Sequence, residues 1–346
     1  MGGAVVVFDR IIRSIQRTGG ASVLFNELSS RLNRDGIDYR EFGYEPSELL
    51  RPFYVEGRKR YLERYRNAMV PPSILSEGTG IFHSTCYRLP ANGSYRVVTT
   101  VHDFTYELHI KGIKALVHSW QKYRAVRGSD HIICVSENTK RDLLSYLPDV
   151  DESKITVVYN GASDIFRPLA NASQKPYVLF VGQRKGYKNF TSLVSAMSKF
   201  RKLELVCAGG GDFADHELAL LRHHLQGRFR HAGYVTDSDL NRLYCEAFCL
   251  VYPSLYEGFG IPIIESMRAG CPVVAVNTSS IPEVAGDAAL LVEDGESATL
   301  AMALDKLHDK NYRENLIDKG LVQGSLFSWE RCFQETLKIY NRVHAL

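Results

Sequence analysis

The sequence predicts an α/β protein made of two Rossmann-like, doubly wound domains, each with a parallel β-sheet covered on both faces by helices. Three observations carry this expectation. Short β-branched runs alternate with stretches of helical periodicity along the chain, the pattern of strands joined by crossover helices. The runs fall into two series, separated by a proline-containing segment of little periodicity. The 346 residues suffice for two domains of ordinary size, each able to bury a core.

In order, the first series reads as strands over 4–8 (AVVVF), 79–83 (TGIFH), 96–102 (RVVTTVH), 131–135 (HIICV) and 155–159 (ITVVY). Each is a short apolar, β-branched run of strand length. Helical periodicity occupies 21–33, 114–127 and 137–146. The second series places strands at 176–181, 203–208, 249–252, 272–276 and 289–292, with helices over 189–200, 214–225, 237–247 and 262–269. Between the series lies NGASDIFRPLANASQKP (160–176), whose two prolines and small polar residues mark a linker. The expected division is a first domain over 1–165 and a second over 166–328. An amphipathic helix over 329–346 is expected to cross back to the first domain. Parallel sheets bind ligands beyond the carboxyl ends of their strands, so two such domains facing one another would form a cleft there.

Composition narrows the function classes. Hydrophobic residues make up 45% and charged residues 23%, as in a soluble globular protein. The net charge of +3 gives no case for a nucleic-acid partner. Seven cysteines form no Cys-x-x-Cys pair, and several sit in apolar runs, which reads as buried thiols in a reducing, cytoplasmic compartment. The apolar start AVVVF is too short for a signal peptide, and no apolar run is long enough to span a bilayer.

The most informative stretch is YPSLYEGFGIPIIESMRAGCPVVA (252–275). A strand ending near Ser254 is followed by Glu257, then by Gly258 and Gly260, which allow a tight turn. Pro262 suits the first position of a helix, and Gly270 suits its stop. Glu265 then falls in the first helical turn, so both carboxylates would surround one pocket at a helix N-terminus. Amides there bind anionic or hydroxyl oxygens, and ionised carboxylates accept from sugar hydroxyls. The plainer reading of Glu265 is a first-turn acid that steadies the helix dipole.

This stretch resembles the Glu-x7-Glu motif of the retaining glycosyltransferases of family 4, which have the GT-B fold. The resemblance extends over nearly the whole chain: RTGGASVLFNEL (17–28), TVHDFTYE (100–107), VSENTKRDLL (135–144), VVYNGASDIFRP (157–168), VGQRKGYKNF (181–190), HAGYVTDSDL (231–240) and SIPEVAGDAALLVED (280–294). It implies that Glu265 accepts from the ribose of a nucleotide sugar. Glu257, Gly258, Phe259, Gly260 and Ile261 would hold the transferred sugar. Arg184 and Lys188 would bind and stabilise the diphosphate, with Lys185 competing for the first of these places; without the resemblance this is a solvated basic loop at a strand end. Gly19 and Gly20 would approach the diphosphate, and Gly233, Tyr234 and Val235 would line the base. His102 would contact the donor sugar, although a lone histidine at a strand end is commonly structural. Glu257 and His102 are thus expected catalytic residues beside Arg184 and Lys188.

The acceptor side is read from strand ends. His83, Tyr87 and Arg88 follow one strand, and Asp103 follows another, where it could orient His102 or meet the acceptor. GGGDFA (209–214) follows a strand and opens a helix, but the acid that a dinucleotide site needs about 20 residues on is absent, so a nicotinamide site is rejected. Ser280–Ile281–Pro282–Glu283 reads as a capping box. No Asp-x-Asp stands at an expected strand end and no His/Cys ligand cluster occurs, in keeping with a family that works without a divalent metal; the resemblance implies no cofactor, the donor being a substrate.

The expected activity is metal-independent, retaining hexosyl transfer to a saccharide or lipid-linked glycan in cell-surface polysaccharide (O-antigen, lipopolysaccharide) synthesis. The segments FHSTCYR and VHDFTYE look most like bacterial polysaccharide mannosyl- or rhamnosyltransferases, which ranks GDP-mannose first as donor. Residues 51–66 and 109–127 mix basic and aromatic side chains, and could rest on the inner face of an anionic membrane or could be solvated faces with aromatics turned inward. The rival readings are a GT-B nucleotide-sugar epimerase or hydrolase and a non-catalytic nucleotide-sugar-binding scaffold.

Overall fold

The structure, a computed structural model, describes residues 5–16, 19–44, 54–56, 59–74 and 80–345. Two compact units result: residues 1–160 with 329–346, and residues 161–328. Part of the 51–66 segment and the Arg17–Thr18 pair lie outside the described residues.

In the first unit the chain runs β1 (Val6–Phe8), α1 (Ile11–Ile15), α2 (Gly20–Arg34), β2 (Tyr39–Gly43), β3 (Tyr54–Glu56), β4 (Gly80–Ser84), β5 (Tyr95–Val101), α3 (Thr105–His109), α4 (Ile113–Arg127), β6 (His131–Cys134), α5 (Glu137–Tyr146) and β7 (Ile155–Val157). The strands form one parallel sheet in the order β3-β2-β1-β4-β5-β6-β7. β1 and β4 are buried along their whole length, as strands covered on both faces must be. β2 and β3 escape the pattern. β2 carries Arg40 and Glu41, and the buried Glu41 is tolerated because it pairs with Arg10 and accepts from Ser29.

The second unit runs β8 (Tyr177–Val181), α6 (Phe190–Met197), β9 (Glu204–Ala208), α7 (Asp215–Leu225), β10 (Phe229–His231), α8 (Asp237–Glu246), β11 (Cys249–Tyr252), α9 (Ile261–Arg268), β12 (Val273–Val276), α10 (Ile281–Ala285), β13 (Leu290–Val292), α11 (Ser297–Lys306) and α12 (Lys310–Ser325). Its parallel sheet has the order β10-β9-β8-β11-β12-β13. The order reverses at β8 and β11, the switch point beside which ligands bind in open α/β sheets. β10 is a three-residue, half-exposed edge strand, too short and too polar to show an apolar run.

The last helix, α13 (Trp329–His344), belongs to the first unit. Its buried residues Trp329, Cys332, Phe333, Thr336, Ile339, Tyr340 and Val343 repeat every three to four positions, one continuous stripe. Glu330 on its outer side meets Arg31 and Arg34 of α2.

Candidate active site

In the second unit the sheet's switch point brings two loops together. The loop after β8 carries Lys188 and the loop after β11 carries Glu257; a backbone bond from Leu255 N–H to Tyr187 C=O, 2.8 Å, holds the loops side by side. Lys188 Nζ donates to Glu257 Oε1 at 2.5 Å. Tyr252, buried at the end of β11, hydrogen-bonds to both, and the ammonium lies 5.4 Å from its ring centroid. Burial by itself would lower the Lys188 pKa, but Glu257, followed by Tyr252, raises it on balance.

The turn at 257–260 is built by neighbours the sequence did not advertise. Ser279 accepts the Glu257 N–H at 2.9 Å. The Ser280 hydroxyl lies 2.9 and 3.0 Å from the carbonyls of Glu257 and Phe259. Ser280 makes no cap on α10, which corrects the capping-box reading: its hydroxyl is taken up by the Glu257 turn. Gly260 has φ of +105°, where a side chain is strained, and it starts α9 one residue before the expected place. Pro262 is therefore the second helical residue, and Glu265 lies beyond the first turn, so the dipole does not account for it.

Glu265 is instead placed by Tyr244. That tyrosine, wholly buried on α8, donates its hydroxyl to Glu265 Oε2 at 3.0 Å. Burial raises the Glu265 carboxyl to about 7; the Tyr244 bond opposes this and Asp237 adds to it.

The glycine loop 209–211 has a structural explanation. All three glycines have positive φ, and a Cβ at Gly210 would lie 2.4 Å from the Gly182 carbonyl. Arg184 fills the loop: it donates to Gly209 O (3.2 Å), Gly211 O (2.8 Å), Asp212 O (2.8 Å) and Glu217 Oε1 (3.0 Å), and stacks on Phe213. The expectation that Arg184 faces a diphosphate is corrected, because its donors are spent on this loop. The cations left at this strand end are Lys188 and the exposed Lys185. His231 braces the same loop, accepting from Gly233 N–H on Nδ1 (3.0 Å), which leaves Nε2–H to donate to Gly209 O (2.9 Å). Tyr234, beside it, is exposed, while Val235 is half-buried.

In the first unit the chemistry gathers at the carboxyl end of β5. His102 N–H lies 3.4 Å from the Tyr87 hydroxyl, and Tyr87 adopts a left-handed φ of +53°. Among the described residues His102 Nε2 is buried without a hydrogen-bond partner. Burial, against the pull of Asp103 and with the push of Lys122, lowers the imidazole to about 4, so it is neutral at physiological pH. Asp103 accepts from Thr105 N–H at 2.9 Å and so shapes the entry to α3. Beneath it, Lys122 of α4 is fully buried; its Nζ donates to Asp103 O (2.7 Å) and Glu107 Oε2 (2.8 Å) and lies 4.2 Å from the Phe104 ring centroid. No local pattern marks Lys122, since a lysine in a helix ordinarily faces water. Lys122→Met is expected to destabilise the protein by about 3–5 kcal/mol, because Glu107 would stay buried without its cation. Urea unfolding checks this, and a change below about 1 kcal/mol would count against the pair's structural role.

Two acceptor-side expectations are corrected. His83 is buried, with Nδ1 2.5 Å from the Tyr340 hydroxyl and Nε2 2.8 Å from Thr100, so it joins α13 to the sheet and cannot face a ligand. Arg88 is equally enclosed, bonded to Asp9 (3.4 Å), Tyr44 (3.0 Å), Arg66 O (2.9 Å) and Glu63. Tyr87 and Asp103 remain beside His102. Gly19 and Gly20 stand at the start of α2, where a Cβ on Gly19 would collide with Gln16.

Known proteins resemble this chain along both of its halves. The family model of group 1 glycosyl transferases matches residues 162–322, and that of glycosyltransferase family 4 matches residues 1–164. The O-antigen chain mannosyltransferase B of Escherichia coli is 32% identical over 283 residues, spanning 75% of this chain and 74% of that one. The O-antigen chain mannosyltransferase RfbU of Salmonella typhimurium is 30% identical over 53% of this chain and 52% of its own. The α-maltose-1-phosphate synthase of Mycobacterium tuberculosis is 30% identical over 66% of this chain and 67% of its own. Among solved structures, sucrose-phosphate synthase from Thermosynechococcus elongatus superposes with a TM-score of 0.82 at 19% identity, covering 99% of both chains. The HepE protein of Anabaena, in complex with UDP and glucose, gives 0.69 at 14% identity, covering 97% of this chain and 99% of that one. These likenesses place the fold as GT-B.

Proposed function

Since the chain belongs to the group 1, family 4 glycosyltransferases, we propose that it moves a hexosyl unit, mannose first, from a nucleoside diphosphate sugar to a hydroxyl of a saccharide or lipid-linked glycan, with the anomeric configuration kept and without a metal. The observation that carries the reading is the pair of carboxylates at the switch point: Glu257 bonded to Lys188, and Glu265 held by Tyr244 with its carboxyl raised by burial to about 7. Glu265 accepts from the ribose, and Glu257 with the turn at 258–261 receives the sugar. As the bond to the anomeric carbon breaks, negative charge builds on the leaving diphosphate. Lys188 and Lys185 stabilise it, an electrostatic contribution that can be worth several kcal/mol. His102, neutral, is assigned to the transferred sugar, and Tyr87 and Asp103 to positioning it. The two O-antigen mannosyltransferases among the relatives favour GDP-mannose and a cell-surface glycan acceptor. Seven cysteines, all free thiols, favour a cytoplasmic setting. Among the described residues no helix is long and apolar enough to cross a membrane.

The test is a thermal-shift screen against GDP-mannose, UDP-glucose, UDP-N-acetylglucosamine, UDP-galactose and dTDP-rhamnose, with and without EDTA. A donor at about 100 times its Kd stabilises the native state by roughly 2.7 kcal/mol. The expected result is a selective rise in Tm with GDP-mannose, unchanged by EDTA and absent in Glu265→Ala. A selective shift by another donor would replace mannose, and no shift with any donor would favour a non-catalytic scaffold.

A further inference from the structure

The chain passes between the two units twice, at 160–161 and at 328–329. Inside the second unit the two crossovers run side by side: Ala162 bridges to Ser328, and Ala162 N–H meets Phe327 O at 3.4 Å. Both rest on the elements that carry Glu257 and Glu265. On the first crossover, the Phe166 ring meets the Tyr244 ring edge to face, 6.0 Å between centroids. Arg167 exchanges bonds of 3.1 and 3.0 Å with the Asn241 side chain of α8. Tyr244 is the residue that bonds to Glu265. On the second crossover, the Phe327 ring meets that of Phe259, in the turn after Glu257, at 5.8 Å.

Arg268 joins the two crossovers. It lies on α9 three residues after Glu265, and its side chain is only 16% exposed. Nη1 is shared between Ala162 O and Phe327 O, each at 3.4 Å, and Nη2 donates to Asp164 Oδ1 at 2.5 Å. A cation in the last turn of a helix ordinarily steadies the dipole and faces water. Arg268 reaches the carbonyls of two other segments instead. Helix α12 makes room for it: a Cβ on Gly324 would lie 2.9 Å from Arg268 Cγ and 3.1 Å from its backbone nitrogen. A planar guanidinium fork suits the task, serving two carbonyls and a carboxylate from one side chain. At 3.4 Å the two carbonyl contacts are long for hydrogen bonds, so small movements open the joint.

We propose that Arg268 is a positioning residue: it fixes both crossovers to α9, so that Glu265 and the turn at 257–260 take up the donor with the crossovers joined, and donor binding in turn tightens them. The reciprocity is thermodynamic. If joined crossovers favour the donor, the donor favours the join by the same factor. The crossovers are the covalent links between the unit that carries Glu265 and the unit that carries His102, so their state bears on both. The effect of the donor rests on the transfer reaction proposed above; the joint in the free chain does not.

Amide hydrogen exchange on the full chain tests this, with GDP and UDP as probes. In the free chain, Arg268→Met should speed exchange at 161–167, at 324–328 and, across the joint, in the turn at 257–260. In the parent, a saturating nucleotide should slow exchange in the turn and in both crossovers. In the variant it should still slow the turn but not the crossovers, and its Kd should rise about five- to tenfold. A residue that only held the fold would lower Tm and leave the nucleotide-induced slowing of the crossovers in place. If Arg268→Met fails to fold, Arg268→Lys, which keeps the charge and loses the fork, should show the same loss of slowing. Crossover exchange in the parent that ignores a nucleotide slowing the turn overturns the proposal, as does slowing of the crossovers that survives in the folded variant. If neither nucleotide slows exchange anywhere, the donor reading fails. The free-chain comparison still decides the joint, and unchanged exchange in the turn of Arg268→Met overturns it.

Discussion

Replacing Lys188 by methionine is expected to lower the rate of glycosyl transfer by roughly 10²–10³-fold, the loss seen when one preorganised group facing developing charge is removed. The geometry makes the effect large. The ammonium touches Glu257 at 2.5 Å and sits over Tyr252, so it is fixed before the donor arrives and needs no reorganisation as the diphosphate leaves. The same substitution leaves Glu257 beside Tyr252 without its cation. Both side chains of the pair keep some contact with water, so the expected stability loss is about 1–3 kcal/mol, below that of a fully dry pair. A double-mutant cycle with Glu257→Gln separates the two effects. The double variant should recover part of the stability, measured by urea unfolding, and none of the activity, measured as product formed per unit time. Full activity in Lys188→Met would remove this residue from the mechanism.

Glu265→Gln is expected to abolish donor recognition and yet stabilise the protein above neutral pH. In the folded chain the Glu265 carboxyl is raised to about 7, from an ordinary value of 4.5, chiefly by burial. A raised acid is the reverse of the usual stabilising case. The unfolded chain gives up this proton near pH 4.5 and the folded chain only near 7, so ionisation penalises the native state increasingly across that window. The penalty is absent below it and complete above it. Glutamine keeps the Tyr244 hydrogen bond without the charge, so the variant should gain about 1–3 kcal/mol at pH 8 and nothing at pH 4, by urea unfolding at each pH. Ribose hydroxyls donate to the ionised form, so parent affinity for the nucleotide should rise about tenfold per pH unit up to neutrality and then level off. Tyr244→Phe removes a bond to the carboxylate and should move that midpoint upward. A pH-independent affinity in the parent chain would contradict the assignment of Glu265.

The reach of sequence reasoning differed from residue to residue. Strands covered on both faces, such as β8 and β11, were legible, because a run that meets almost no water is apolar nearly throughout. β2 was missed because its buried Glu41 is neutralised by Arg10, from a different part of the chain. The two carboxylates at 257 and 265 stood out because glycine and proline around them have local, stereochemical meanings. Ser280 misled for the same reason: a serine three residues before a glutamate is a local cap signal, while its hydroxyl is used by a turn more than twenty residues away. Arg184 and Lys188, four residues apart in one basic loop, were indistinguishable as letters, and only their partners separate them: three carbonyls and Glu217 for the one, Glu257 for the other.

Family, fold class and the prominence of the two glutamates follow from the order of residues alone, because periodicity, turn stereochemistry and motif spacing are properties of neighbours along the chain. Folding decided what each polar group is for. Tyr244 beneath Glu265, Lys122 beneath Asp103, His83 and Arg88 enclosed, and the joining of 61–69 to α4 are contacts between segments distant in sequence. The free energy of a charge or a hydroxyl is set by burial and by the partner it meets, and neither is present until the chain has closed on itself.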